Sequence, residues 1–167
     1  SPIGVLTVMF LALVGRGSVH AGDEDRYLKA VCTFADTVLE HGRDTYGDQH
    51  TVLFADGLHV KTLKPATWRW QDQTWVLSNF ASQQPLLRTL DGLTALTGEQ
   101  KYRQAAEDAA RYAVKHLTTP NGLLYWGGHF AWDLQQDRPA GQYSDVHELK
   151  NHQPYFRLLW RVCPEET

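Results

Sequence analysis

His147, Glu148 and His152 fall inside one six-residue stretch, HELKNH. Imidazole and carboxylate groups are the donors that a divalent transition metal or Zn2+ takes. Glu148 and His152 stand four apart, so on a helix they share a face. The second His comes one position late for the HExxH of metalloproteases. Spacing alone therefore favours a plainer reading, a helix start whose Glu148 suits the dipole. A second candidate group is YWGGHFAWD, residues 125–133. Its His129 follows two glycines and lies among Tyr125, Trp126, Phe130 and Trp132. As sequence, His129 reads equally as a site imidazole and as a half-buried side chain bonded to a backbone carbonyl. The third is EHGRDTYGDQH, residues 40–50. Arg43 can hold a carboxylate through two parallel hydrogen bonds, and Asp44 can orient that Arg or a hydroxyl. Taken alone, this stretch reads better as a helix C-terminus followed by a polar loop.

The elements that must position these groups are mostly helical. Tyr27, Val31, Phe34 and Val38 recur at three- and four-residue steps and predict a helix from Asp23 to about Thr45 with that stripe buried. Leu86, Leu90, Leu93 and Leu96 predict a second helix from about Asn79 to Thr97, with Gly98 as its C-cap. Tyr102, Ala106, Ala109, Ala113 and Leu117 predict a third, from about Glu99 to Leu117. The short TGEQ between the two makes them antiparallel neighbours. A last helix is expected from about His147 to Cys163, with Pro154 kinking it or setting its true start. Residues 46–76 carry Gly, Pro and Asp breaks with short β-like pieces, and LLYW at 123–126 reads as a short strand. Loops of this length in a compact domain are often functional. The order is helix, long loop, helical hairpin, long loop, helix. It predicts an all-α fold: the hairpins of an α/α toroid, here an incomplete barrel, with the long loops lining a cleft.

The chain has 167 residues, 43% of them hydrophobic, which suits one domain with a real core. A net charge of −3 and the absence of any Lys/Arg run argue against nucleic acid as a partner. Six Trp and seven Tyr offer rings on which the apolar face of a sugar can stack, although most aromatics fill cores. Residues 5–14 are almost all apolar, too short a run to span a bilayer, and Ser18-Val19-His20-Ala21 follows. This predicts a secretory signal peptide over residues 1–21, lacking its start and cut after Ala21, and hence a secreted or periplasmic protein with no membrane segment once it is removed. Residues 22–167 are then the mature portion. Export permits a disulfide between Cys32 and Cys163, but both sit in apolar helical patterns, and unpaired thiols are expected.

Several stretches together resemble bacterial secreted pectate lyases of the α/α-toroid type, nearest to polysaccharide lyase family 2. They are HGRDTYGDQHTVLFADGL, SNFASQQPLLRTLDGLTALTG, YRQAAEDAARY, PNGLLYWGGHFAWDL and HELKNHQPYF, and they cover most of residues 24–164. The resemblance implies a monomeric enzyme acting on an acidic plant polysaccharide, polygalacturonate, by β-elimination. It also implies a divalent metal ion (Mn, Ca or another metal) held by two His and one Glu, with an Arg beside the last His as base. His129 and Glu148 match the first His and the Glu by order. His152 is not the family's second His and is carried only as a neighbour of the metal. The Arg–His pair is expected beyond Thr167, so residues 1–167 alone are expected to be inactive. Arg43, Asp44, His50, Trp126 and Trp132 are the substrate-binding candidates. Two other readings stay open: an α/α-toroid glycoside hydrolase acting on uronides, with Asp44, Asp56 and Asp133 as candidate acid and base, and a secreted carbohydrate-binding module.

Overall fold

The computed structural model describes residues 21–127, 130–140 and 153–166. Four helices carry the architecture: α1 (Ala21–His41), α2 (Gln84–Thr97), α3 (Gln100–His116) and α4 (Phe156–Val162). Between them lie five short strands: β1 (Trp68–Trp70), β2 (Gln73–Trp75), β3 (Leu77–Ser78), β4 (Ala131–Asp133) and β5 (Arg138–Ala140). β1 and β2 form a small antiparallel hairpin, and β3, β4 and β5 form an antiparallel sheet in that order. The helices are the longest elements among the described residues, and the two long connections are partly sheet.

α2 and α3 pack as an antiparallel hairpin. Pro85 sits in the first turn of α2, where its missing N–H costs nothing. The helix ends at Gly98, whose N–H donates to Thr94 O at 2.9 Å. The face that α3 turns inward is Ala105, Ala106, Ala109, Ala110 and Ala113. Small side chains let the helix axes approach closely, and Leu87, Leu90 and Leu93 of α2 share the same core. The expected stripe on α3, from Tyr102 to Leu117, is buried throughout. On α2 the outermost expected residue, Leu96, is 72% exposed.

Of the stripe predicted for α1, Val38 packs against the core but Tyr27, Val31 and Phe34 lie outside it. Tyr27 and Phe34 are exposed, whereas Ala35 is fully buried and Leu28, Cys32 and Leu39 pack against the core. Positions 28, 32, 35 and 39 repeat by four, three and four, so a second helical stripe was present in the sequence and is the one that the core takes. No disulfide joins Cys32 and Cys163.

α4 begins at Phe156, so Pro154 precedes the helix rather than kinking it. The Tyr155 N–H donates to Gln84 Oε1 at 2.7 Å, fixing this start against the beginning of α2. Asp91 then joins three helices. Its carboxylate accepts from Tyr155 Oη at 2.7 Å, from Arg103 Nε of α3 at 2.9 Å and from Arg161 Nη2 of α4 at 2.9 Å. Burial alone would raise this carboxyl, but the bonds from Tyr155, Arg161 and Arg103 outweigh it and hold the pKa at about 2. Among the described residues no helix is long and apolar enough to cross a membrane.

Candidate functional site

The loop after α1 is closed by its own backbone. Arg43 bridges Phe54 in antiparallel fashion, Asp44 N–H donates to Leu53 O at 3.0 Å, and Ala55 N–H donates to Gly42 O at 2.8 Å. Asp44 is 1% exposed and its carboxylate is used inside the loop. It accepts from Thr51 Oγ1 at 2.7 Å, Thr51 N at 3.1 Å and Tyr46 N at 3.3 Å. This is an Asx-type closure of a polar turn. Arg43 is half-buried. Its Nη1 donates to Val52 O at 2.7 Å and its guanidinium lies over the Phe54 ring. Burial pulls its pKa below the ordinary value. His50, at the far end of the loop, is exposed. Gly47 brings this loop against the next one: a Cβ there would stand 2.8 Å from Leu134 O.

The second loop carries the aromatic candidates. Trp126 and Trp132 are both half-buried. Trp126 meets Phe80 edge to face with centroids 6.0 Å apart, and Trp132 tilts against Tyr125 at 6.5 Å. Asp133 is 1% exposed; its Oδ1 accepts from Gln135 N–H at 2.9 Å. The expected strand at LLYW is reduced to one bridge, Leu124 with Thr118, and the true strand, β4, begins five residues after Trp126. Gly127 has φ 144°, a conformation that glycine adopts at little steric cost. His129, Glu148 and His152, the metal candidates, lie outside the described residues, as does His147. Among the described residues no three His, Cys, Asp or Glu side chains are grouped to hold a metal ion.

Residues 77–80 contact the chain at 126–127 and pair with it at 132–133. Asn79 Nδ2 donates to Gly127 O at 2.9 Å, and Phe80 touches Trp126. Ser78 pairs with Trp132 and Leu77 with Asp133 in the sheet. Asn79 is itself held: its N–H donates to Asp56 Oδ1 at 2.6 Å, and its Oδ1 accepts from Ser82 N–H at 2.9 Å. Gln83 Nε2 donates to the same Asp56 oxygen and to Phe54 O, each at 2.8 Å. Asp56 also lines a cavity of about 600 Å3 whose other walls include Phe34, Val38, Leu58, Val60 and Leu86. Burial of its carboxyl pushes the pKa up to about 6, against the pull of the two donors. None of Arg43, Asp44, His50, Trp126 or Trp132 lines this apolar cavity. Asn79 and Gln83 were not singled out in the sequence, because a contact across 48 positions leaves no local spacing to read.

Residues 51–167 match the family described as periplasmic pectate lyase. The chain belongs to that family. It is also 37% identical over 147 residues to a pectate disaccharide-lyase of Dickeya dadantii (strain 3937), an alignment that covers 86% of this chain and 27% of the relative. The chain thus spans about a quarter of the length of that relative. The family's periplasmic description agrees with the expected secreted or periplasmic localisation. The matched span contains Asn79, Trp126, His129, Trp132, Glu148 and His152, while Arg43, Asp44 and His50 precede it.

Proposed function

We propose that the protein carrying this sequence is a pectate lyase that cleaves polygalacturonate by metal-assisted β-elimination, and that this chain supplies the N-terminal part of an α/α-toroid catalytic domain. The family match over residues 51–167 is the observation that carries the reading. The pectate disaccharide-lyase name of the Dickeya relative supports it.

In the proposed reaction a base takes the proton on C5, next to the sugar carboxylate, and the freed electron pair forms the C4=C5 double bond. The C4–O4 bond breaks, O4 leaving with the other sugar and taking up a proton, which yields an unsaturated uronide. A bound divalent cation would neutralise the negative charge that builds on that carboxylate as the proton leaves. His129 and Glu148 are the residues assigned to hold it, with His152 nearby. Imidazole suits Zn2+ and the later transition ions, whereas carboxylate also suits Mn2+ and Ca2+, so this donor set leaves the identity of the ion open. The base is assigned to an Arg outside these residues. Trp126 and Trp132 expose part of each ring and are assigned to stack on sugars. Arg43 is assigned to the substrate carboxylate and His50 to the rim, and Asp44 holds the loop that presents both.

The test is ultraviolet absorbance of the conjugated product on polygalacturonate, using the full-length protein, with and without chelator. Metal-dependent absorbance is expected, and residues 1–167 alone should give none. Release of reducing ends without absorbance would replace elimination by hydrolysis, and binding without product would leave a carbohydrate-binding module.

A further inference from the structure

Residues 57–71 carry three cations, Lys61, Lys64 and Arg69, and no acidic residue, in a chain whose net charge is −3. All three are exposed. Among the described residues their side chains have no hydrogen bond and no ion pair, whereas Lys101, Arg103, Arg111 and Arg161 each pair with a carboxylate. The backbone beneath them is built as two consecutive hairpins. In the first, Leu58 bridges Pro65, His59 N–H donates to Lys64 O at 2.8 Å, and Ala66 N–H donates to Gly57 O at 2.8 Å. The second is β1–β2, in which Trp68 stands across from Trp75 and Arg69 from Thr74. Trp75 is buried with Leu77, Ala131 and Ala140, so β2 anchors this hairpin to the sheet whose strand β4 carries Trp132. β1 is the outer strand, and its Trp68 is 59% exposed. A lone exposed ring needs no explanation; one set among three unpaired cations does.

We propose that residues 57–71 form an accessory surface for the acidic polysaccharide: the Trp68 ring stacks on the apolar face of one sugar, and Lys61, Lys64 and Arg69 attract the carboxylates of its neighbours. This rests on the reading of polygalacturonate as the substrate. That polymer repeats what the surface selects, a sugar face for the ring and a carboxylate for the cations. Arg69 follows Trp68 directly and so projects from the other side of the strand. The cations therefore act as a local field over several sugars, not as a clamp on the stacked one. Such a field weakens as salt rises, whereas a stacking contact carries no net charge to screen.

The test is affinity electrophoresis of the full-length protein in native gels containing polygalacturonate, with chelator present so that the polymer stays whole, beside thermal melting of each variant. Trp68→Ala should weaken binding about fivefold, the size of one aromatic contact, and Trp68→Phe should keep most of it. Lys64→Gln combined with Arg69→Gln should weaken binding at about 0.01 M salt and far less at about 1 M, where the field is screened. Trp68→Ala should lose the same factor at both. Lys29→Gln combined with Lys115→Gln makes the same change in net charge elsewhere and should leave binding as it was. Wild-type affinity in Trp68→Ala, equal weakening by the Lys29 and Lys115 pair, or no retention of the unmodified protein would overturn the surface. Tighter retention by double-stranded DNA than by polygalacturonate would overturn the choice of partner. Conjugated product formed by the unmodified protein, with no effect of Trp68→Ala on retention, would leave the lyase reading standing and remove the surface. Retention lost in Trp68→Ala, with no conjugated product from the unmodified protein, would keep the surface and overturn elimination.

Discussion

Arg43 lays its guanidinium over the Phe54 ring, 4.4 Å from the centroid, while its Nη1 donates to Val52 O at 2.7 Å. The two contacts use different properties of one planar cation, its face and its edge. Lysine is a compact point charge and cannot satisfy both at once. Arg43→Lys should therefore lower stability by about 1–2 kcal/mol, the sum of a weak cation–π contact and one hydrogen bond. Urea denaturation measures it. An unchanged midpoint would mean that these contacts do not hold the loop.

The Asp91 cluster ties α2, α3 and α4 through one carboxylate whose side chain is 8% exposed. Asp91→Asn keeps the shape and removes the charge that faces Arg103 and Arg161. A loss of about 2–3 kcal/mol is expected, below that of a fully buried pair because both Arg side chains are partly solvated. The pKa is held at about 2, below the ordinary 3.8. The stabilisation is thus present above pH 3.8 and is lost as pH falls through about 2. The stability gap between wild type and Asp91→Asn should narrow over that acid range; a gap that stays constant with pH would contradict the assignment.

The two faces of α1 make opposite predictions. Phe34 is 54% exposed and Ala35 is fully buried. Phe34→Ala should change stability by no more than about 0.5 kcal/mol. Ala35→Leu should cost about 1–3 kcal/mol, because a larger side chain must displace packed neighbours. Melting curves of the two variants decide it. The reverse order would restore the Tyr27–Phe34 face as the buried one.

The contrast shows which information the sequence carries and which it does not. The α2–α3 hairpin was legible because TGEQ is too short for anything but an antiparallel return, and because the Tyr102–Leu117 stripe has no competitor on its helix. On α1 two apolar stripes compete, and only packing chooses between them: the small Ala35 fits the core, whereas the larger Tyr27 and Phe34 stay outside. β4 was misplaced to LLYW because a run of apolar residues does not say which segment finds a pairing partner, and Leu77–Ser78 pairs with 132–133 instead. Asp44 was legible as a chemical group but not as a buried one, since its three donors come from Tyr46 and Thr51, which any polar loop could contain. Asn79 was invisible as a partner of Gly127 because its partner is fixed by tertiary structure alone.

Asp56 gives a pH dependence of opposite sign to Asp91. Its pKa is raised from 3.8 to about 6, so its proton is held more tightly in the folded state than in the unfolded one. Its contribution to stability is fully present below pH 3.8 and is lost as pH rises through about 6. Part of the residue faces solvent, so screening reduces the size of the effect but not its sign. Asp56→Asn retains an oxygen that can accept from Asn79 N–H and Gln83 Nε2 while removing the titration. Urea midpoints at pH 4.5 and pH 7 should show wild type losing stability on the way up relative to Asp56→Asn, which should be the flatter of the two. The same slope in both proteins would place the titrating group elsewhere. Because Asp56 anchors the N–H of Asn79, a flatter profile with intact folding would also show that an uncharged acceptor is enough to hold that anchor.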